Sequence, residues 1–139
     1  VANDEVEELL NEIGRLLAED VEYPFEPTLL YAQLDRNMIG ESIFKELGNQ
    51  VLYRSPVIMR LPHVLLRLWE AQEGDDWWME MEYLVRDGMF EVAYVYPDAI
   101  DPGEDILERR ARSVRRHFGD KPIVYPPSFP EEDVPEYSS

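Results

Sequence analysis

The sequence has no cysteine. Disulfides and thiolate metal sites are thereby excluded, and a cytoplasmic location is the natural expectation. Long apolar runs are also missing: no stretch approaches the roughly 18 residues that a membrane span needs. The opening residues are acidic, unlike the basic start of a signal peptide. Positive charge is scarce, with 13 Lys and Arg against 30 Asp and Glu and a formal net charge of −17. Nucleic-acid binding needs a basic footprint, so it is not expected. The balance fits a solvated acidic surface, or one shaped for a basic protein partner whose association it would speed. Histidine is limited to His63 and His117, which fall in no catalytic spacing. There is no phosphate-cradling glycine loop, and Ser42, Ser55 and Ser113 lack the glycines of a nucleophile elbow.

What is present is enough to fold: 139 residues, 45% hydrophobic and 12% aromatic, suit one domain with a core. The strongest local signal lies between Trp77 and Tyr96. Asp87-Gly88 is a two-residue turn pair able to take the positive φ of a type I′ hairpin. Pairing outward sets Val85 opposite Phe90, Tyr83 opposite Val92, Met81 opposite Tyr94 and Met79 opposite Tyr96, all on one core face. The other face pairs Arg86 with Met89, Leu84 with Glu91, Glu82 with Ala93 and Glu80 with Val95. A slip of one residue would mix the two faces, so turn and pattern select one register. Alternation puts Trp78 on the acid-bearing face with Glu80 and Glu82.

Residues 3–18 predict an amphipathic helix, capped by Asn3, with Val6, Leu9, Leu10, Ile13, Leu16 and Leu17 on one stripe. Gly14 inside it costs about 1 kcal/mol relative to Ala, which marks a close approach to a neighbour. Leu29–Asp35 reads as a strand with Leu30, Ala32 and Leu34 on one side and Tyr31 and Gln33 on the other. Ser42–Leu47 and Gln50–Arg54 complete a meander. Pro62 starts a second helix that buries Leu61, Val64, Leu65, Leu68 and Trp69, with Gly74 ending it. Glu104–Phe118 reads as a third helix, with Leu107, Ala111, Val114 and Phe118 on its stripe and Gly119 after it. Asp105 with Arg109 and Glu108 with Arg112 have the favourable four-residue spacing for ion pairs.

The order is α-β-β-β-α-β-β-α, an α+β fold with a largely antiparallel sheet of about five strands and the helices packed on one face. Residues 1–125 form the domain. Residues 126–139 form a proline-rich acidic tail, partly disordered; Lys121 to Phe129 runs extended across the body and the last ten residues are loose.

Asp75, Asp76, Glu80 and Glu82 have the oxygen chemistry for a hard cation, but EF-hand spacing is absent and a strand spreads such acids apart. No metal or other cofactor is expected, and no paired-acid catalytic site stands out among so many carboxylates. Arg109, Arg110, Arg112, Arg115 and Arg116 form one basic island, read as internal counter-charge to an acidic body. The candidate contacts for a protein partner are Asp75, Asp76, Trp78, Glu80, Glu82 and Glu91, since large aromatics dominate binding hot spots and acids suit a basic surface.

Trp78, Glu80-Met-Glu-Tyr83, Gly88, Tyr94-x-Tyr96-x-Asp98, Arg109 and Phe118-Gly119-x-x-Pro122 together resemble the YezG-like (EsaG-like) immunity and antitoxin family. The segment Ile39–Met59 departs from that pattern, lacking its acid-and-glycine-rich hairpin, and the proline-rich end has no counterpart. The resemblance implies a non-enzymatic protein that binds a cognate bacterial toxin, commonly a nuclease, in a stoichiometric complex, with no catalytic residues. The alternative is an adaptor or secretion chaperone that binds another protein through a sheet edge or the proline-rich tail. Oligomeric state is not legible.

Overall fold

Strand β1 (Thr28–Asp35) runs through the middle of the sheet with an antiparallel neighbour on each side. It is buried on both faces: Leu30, Ala32 and Leu34 belong to one core cluster, Leu29 and Tyr31 to another. The computed structural model describes residues 2–54 and 58–125. In chain order the remaining elements are α1 (Ala2–Leu17), β2 (Met38–Leu47), β3 (Gln50–Arg54), α2 (Leu61–Glu70), β4 (Glu80–Arg86), β5 (Met89–Val95), α3 (Ile106–Phe118) and β6 (Ile123–Val124). A 3-10 turn spans Pro97–Ala99. The sheet order is β5-β4-β1-β2-β3-β6, and every pairing is antiparallel except β3 with β6. The class is α+β, as the element pattern predicts. No described helix is long and apolar enough to cross a membrane.

The β4–β5 hairpin has the predicted register, from Arg86 opposite Met89 to Glu80 opposite Val95. Asp87 (φ 57°) and Gly88 (φ 76°) both take the positive φ of the expected turn. Agreement stops at Met79. Its N–H donates to Val95 O at 2.8 Å and the chain bends there, so the Met79–Tyr96 pair does not form. The bend also ends the period of two, and Trp78 joins the cluster of Met81 and Tyr83 instead of the face of Glu80 and Glu82.

The expectation that all helices share one face is corrected. α1 and α2 cover the first face, where Leu9, Ile13 and Leu16 meet Leu65, Leu68 and the inward side chains of β1 and β4. α3 lies on the opposite face, where Val114 and Phe118 pack on Leu29, Tyr31, Phe44 and Leu84. A strand buried on both sides requires a cover on both sides. A sixth strand, β6, also exceeds the five expected: Ile123 and Val124 pair in parallel with Val51 and Leu52. The predicted tail, residues 126–139, lies outside the described residues.

Helix ends differ in detail. α1 begins at Ala2, so Asn3 falls inside it. α2 buries its five predicted residues but ends at Glu70, ahead of Gly74. α3 starts at Ile106 with Asp105 as its cap, accepting from Leu107 N–H at 3.1 Å, and Leu107 is exposed rather than part of the buried stripe.

Gly14 does mark a close approach. A Cβ built there would lie 2.8 Å from the hydroxyl of Tyr83, which donates to Leu10 O at 2.7 Å. Gly14→Ala is therefore expected to destabilise the protein by about 1–3 kcal/mol through overpacking. In a Tyr83→Phe background the obstructing oxygen is gone, and the same change should become stabilising by up to about 1 kcal/mol. Urea unfolding of the four proteins in this cycle checks the reversal of sign.

Candidate functional site

Arg109, Arg110, Arg116 and His117 of α3 reach groups on the sheet, while Arg112 and Arg115 are exposed. Arg109 and Arg116 are two helical turns apart, and Glu80 and Glu82 are neighbours on one face of β4. Arg109 Nε donates to Glu80 Oε2 at 2.6 Å, and both side chains are nearly buried. Its Nη1 also donates to Glu104 O at 3.1 Å, which pins the loop before the helix. Glu82 is held from two directions, by Arg116 and by His117 Nε2 at 2.7 Å. Burial alone would raise the pKa of Glu82, but the hydrogen bonds from His117 and Arg116 outweigh it and hold the carboxyl below its ordinary 4.5. Burial, and then the adjacent Glu80 carboxylate, push the Tyr31 phenol above its ordinary range. Arg110 donates to Ser42 Oγ at 3.1 Å and lies over the rings of Phe44 and Tyr53. Arg112 pairs with Glu104 rather than Glu108, and Arg109 with Glu80 rather than Asp105. Arg109, Arg112 and Arg116 thus serve as counter-charge to carboxylates of the same chain, Arg110 meets a hydroxyl, and Arg115 is exposed.

Three of the six candidate contacts are corrected by this geometry. Glu80 and Glu82 are 5% and 3% exposed beneath α3, and Trp78 is 3% exposed. Trp78 stacks on Tyr94 with centroids 5.1 Å apart, its backbone N–H donates to Gln72 Oε1 at 2.9 Å, and its backbone carbonyl accepts from Trp69 Nε1 at 2.7 Å. These are fold residues. The acids look surface-placed in the sequence because the hairpin pattern by itself does not show which helix will cover its second face.

Asp75, Asp76 and Glu91 are exposed. Glu91 stands alone in the middle of β5, opposite Leu84. Asp75 and Asp76 sit in the loop between α2 and β4, at the end of the hairpin away from its turn. They border a depression of about 430 Å3 whose walls include Trp69, Trp77, Arg36 and Pro97. Asp76 also borders a second depression of about 250 Å3, walled by Glu73, Trp78, Tyr94 and Tyr96. Trp77 is braced edge-on against Trp69, with centroids 4.7 Å apart, and its Nε1 donates to Gly74 O at 2.9 Å. The loop therefore presents carboxylates between fixed aromatic rings, a setting that suits guanidinium or ammonium groups of a partner. The roles of Tyr94 and Tyr96 here were visible only as hairpin pattern, because their nearness to Asp76 depends on the bend at Met79. Among the described residues, no group of three or more His, Asp or Glu side chains is placed to hold a metal ion.

Two outcomes follow from the buried pairs. Arg109→Ala leaves Glu80 buried without its partner and should cost about 3–5 kcal/mol, whereas the double change Glu80→Leu/Arg109→Met should cost much less. Chemical denaturation of both variants measures the difference. For Glu82 the folded pKa lies below the unfolded one, so its contribution is complete above pH 4.5 and is lost as pH falls through the folded value. Glu82→Gln should then be destabilised by about 1–3 kcal/mol at pH 7, and the gap to the parent should close as the pH drops below that window. Unfolding midpoints recorded from neutral to acid pH test the trend.

No family model matches the chain, and no curated protein matches it either.

Proposed function

We propose that this chain is a cytoplasmic immunity protein that neutralises a basic, nuclease-like bacterial toxin by forming a stoichiometric complex. The observation that carries the reading is the acid and aromatic rim around Asp75 and Asp76. It lies on a chain of net charge −17 whose α3 arginines are largely engaged by Glu80, Glu82, Glu104 and Ser42. With most of those cations engaged within the chain, the field that a partner meets is mainly negative, although Arg36 shares the depression of Asp75 and Asp76, and charge complementarity then steers encounter.

The family resemblance supports the same class by a different route. Its residues hold the fold here: Trp78 anchors the end of α2, Glu80 and Arg109 join sheet to helix, Gly88 makes the hairpin turn and Gly119 ends α3. Contacts with a toxin would then fall outside the motif, where partners differ. Asp75, Asp76 and the neighbouring Trp77 are the residues assigned to that contact, and Glu91 stands apart from them on the edge strand.

The test begins with co-purification of the chain with the products of neighbouring genes. A captured nuclease should lose its activity at one equivalent of this protein. Its association rate should fall by about tenfold or more between low and ~0.5 M salt. Asp75→Lys/Asp76→Lys should slow association by about tenfold while leaving the unfolding midpoint unchanged. A captured partner that keeps full activity in the complex would sink the reading. A rate flat with salt would remove its electrostatic basis.

A further inference from the structure

We infer that β5 is a homodimer edge, along which a second copy of the chain adds its own β5 antiparallel to form one continuous sheet. This is independent of the toxin-binding reading and uses a different surface. The first observation is topological. Among the described residues, β5 lies at the end of the sheet and pairs only with β4. The two-residue turn makes Arg86 and Met89 the first hydrogen-bonded pair of the hairpin, and such pairs alternate with non-bonded ones. Leu84–Glu91 and Glu82–Ala93 are therefore bonded pairs, and Phe90, Val92 and Tyr94 direct their N–H and C=O groups away from β4.

The second observation is that β5 has few of the usual guards of an open edge, with Glu91 its one charge. Its sequence, Met-Phe-Glu-Val-Ala-Tyr-Val, has no proline and no lysine, and its ladder with β4 contains no bulge from Met89 to Val95. No residue along it is buried, and Met89 is 65% exposed.

The third observation selects the occupant. A two-fold axis through Val92 pairs Val92 with itself, Phe90 with Tyr94, Glu91 with Ala93 and Met89 with Val95 of the second copy. Every outward-pointing backbone group of Phe90, Val92 and Tyr94 then finds a partner. The same three residues lie on the face of the first core cluster, so the apolar face continues across the junction. No like charges oppose each other, because the single acid of the strand meets Ala93. The strand is self-complementary in the one register that also satisfies its backbone.

A seven-residue ladder buries a small area, so the dimer is weak. It also brings together two bodies of net charge −17, so added salt strengthens it. Toxin association has the opposite salt dependence, and failure of one reading is distinguishable from failure of the other.

Sedimentation equilibrium of the full chain tests the proposal, over about 5 to 500 µM and in low and high salt, the range a small interface needs. The weight-average mass should rise from 16.4 kDa toward twice that value with concentration, and more steeply in high salt. Ala93→Glu sets acids opposite each other at two symmetric places and should raise the dissociation constant about tenfold, whereas Ala93→Lys should lower it. Gln50→Glu adds the same charge on β3 and should have no comparable effect. Circular dichroism checks that each variant is folded. Ala93→Lys keeps the test decisive if Ala93→Glu does not fold. A mass fixed at 16.4 kDa throughout, a dimer indifferent to charge at position 93, or a Gln50→Glu effect equal to that of Ala93→Glu would overturn the proposal.

Discussion

Two carboxylates stand in the middle of the sheet's second face, and the need to pair them decides where α3 goes. Glu80 and Glu82 are nearly buried, so their charges require partners that are buried or hydrogen-bonded as well. Arg109, Arg116 and His117 supply them from one side of one helix. The two matches together fix the helix along its axis, because a shift of one turn would leave a carboxylate unpaired. Pairs of this kind add little net stability over apolar packing and are better understood as setting a register. The chain after α3 follows from that placement. Lys121 reaches Glu46, Pro122 O accepts from Val51 N–H at 2.9 Å, and β6 is laid along β3.

The same inward use of cations recurs on the other side of the sheet. Lys45 is 1% exposed and donates to Pro24 O and Thr28 Oγ1 at 3.0 and 2.9 Å. Its burial lowers the lysine pKa, partly offset by Asp20. Arg54 grips Asp20 at 2.9 Å and Glu22 at 3.0 Å and lies over the ring of Tyr23. These contacts fasten the long connection between α1 and β1 to the meander. A chain with few basic residues has thus committed many of them to holding segments in place, and its outer surface is left strongly acidic. The acidic exterior and the ordered interior are two results of one allocation of charge.

Much of this was legible in the sequence where two independent signals agreed. The hairpin register could be read because the Asp87-Gly88 turn and the alternation of Tyr83, Val85, Phe90 and Val92 demand the same pairing. The buried face of α2 could be read from periodicity alone, whereas the burial of β1 on both faces could not, because the pattern gave no cover for its second side. Gly14 was informative because a glycine inside a strong helical stripe needs a steric reason, here Tyr83. The side taken by α3 was not legible. Its buried apolar residues are few, Val114 and Phe118, and its docking is directed by arginines that an apolar stripe does not register. Trp78 was misplaced because a single bend at Met79 breaks the period of two, and nothing in the local composition announces it. β6, with two residues, is shorter than any pattern that alternation can establish. For the candidate site the sequence located Asp75, Asp76 and Glu91 on the surface, but not the aromatic walls that the bend and the end of α2 place beside the first two.

Net charge also links the two surfaces argued for this chain. β5 has few local guards of an exposed edge beyond Glu91, yet each copy repels every other copy through the same acidic field. The field thus does globally what a proline or lysine in the strand would do locally, and its strength depends on ionic strength and on bound partners. A basic protein seated at the Asp75–Asp76 loop would neutralise part of that field without covering the middle of β5, where Glu91 and Val92 stand. Edge pairing would then become easier in the complex than in the free chain, with no change of shape in either. The coupling would be purely electrostatic, carried by the charge that the folded interior leaves outside.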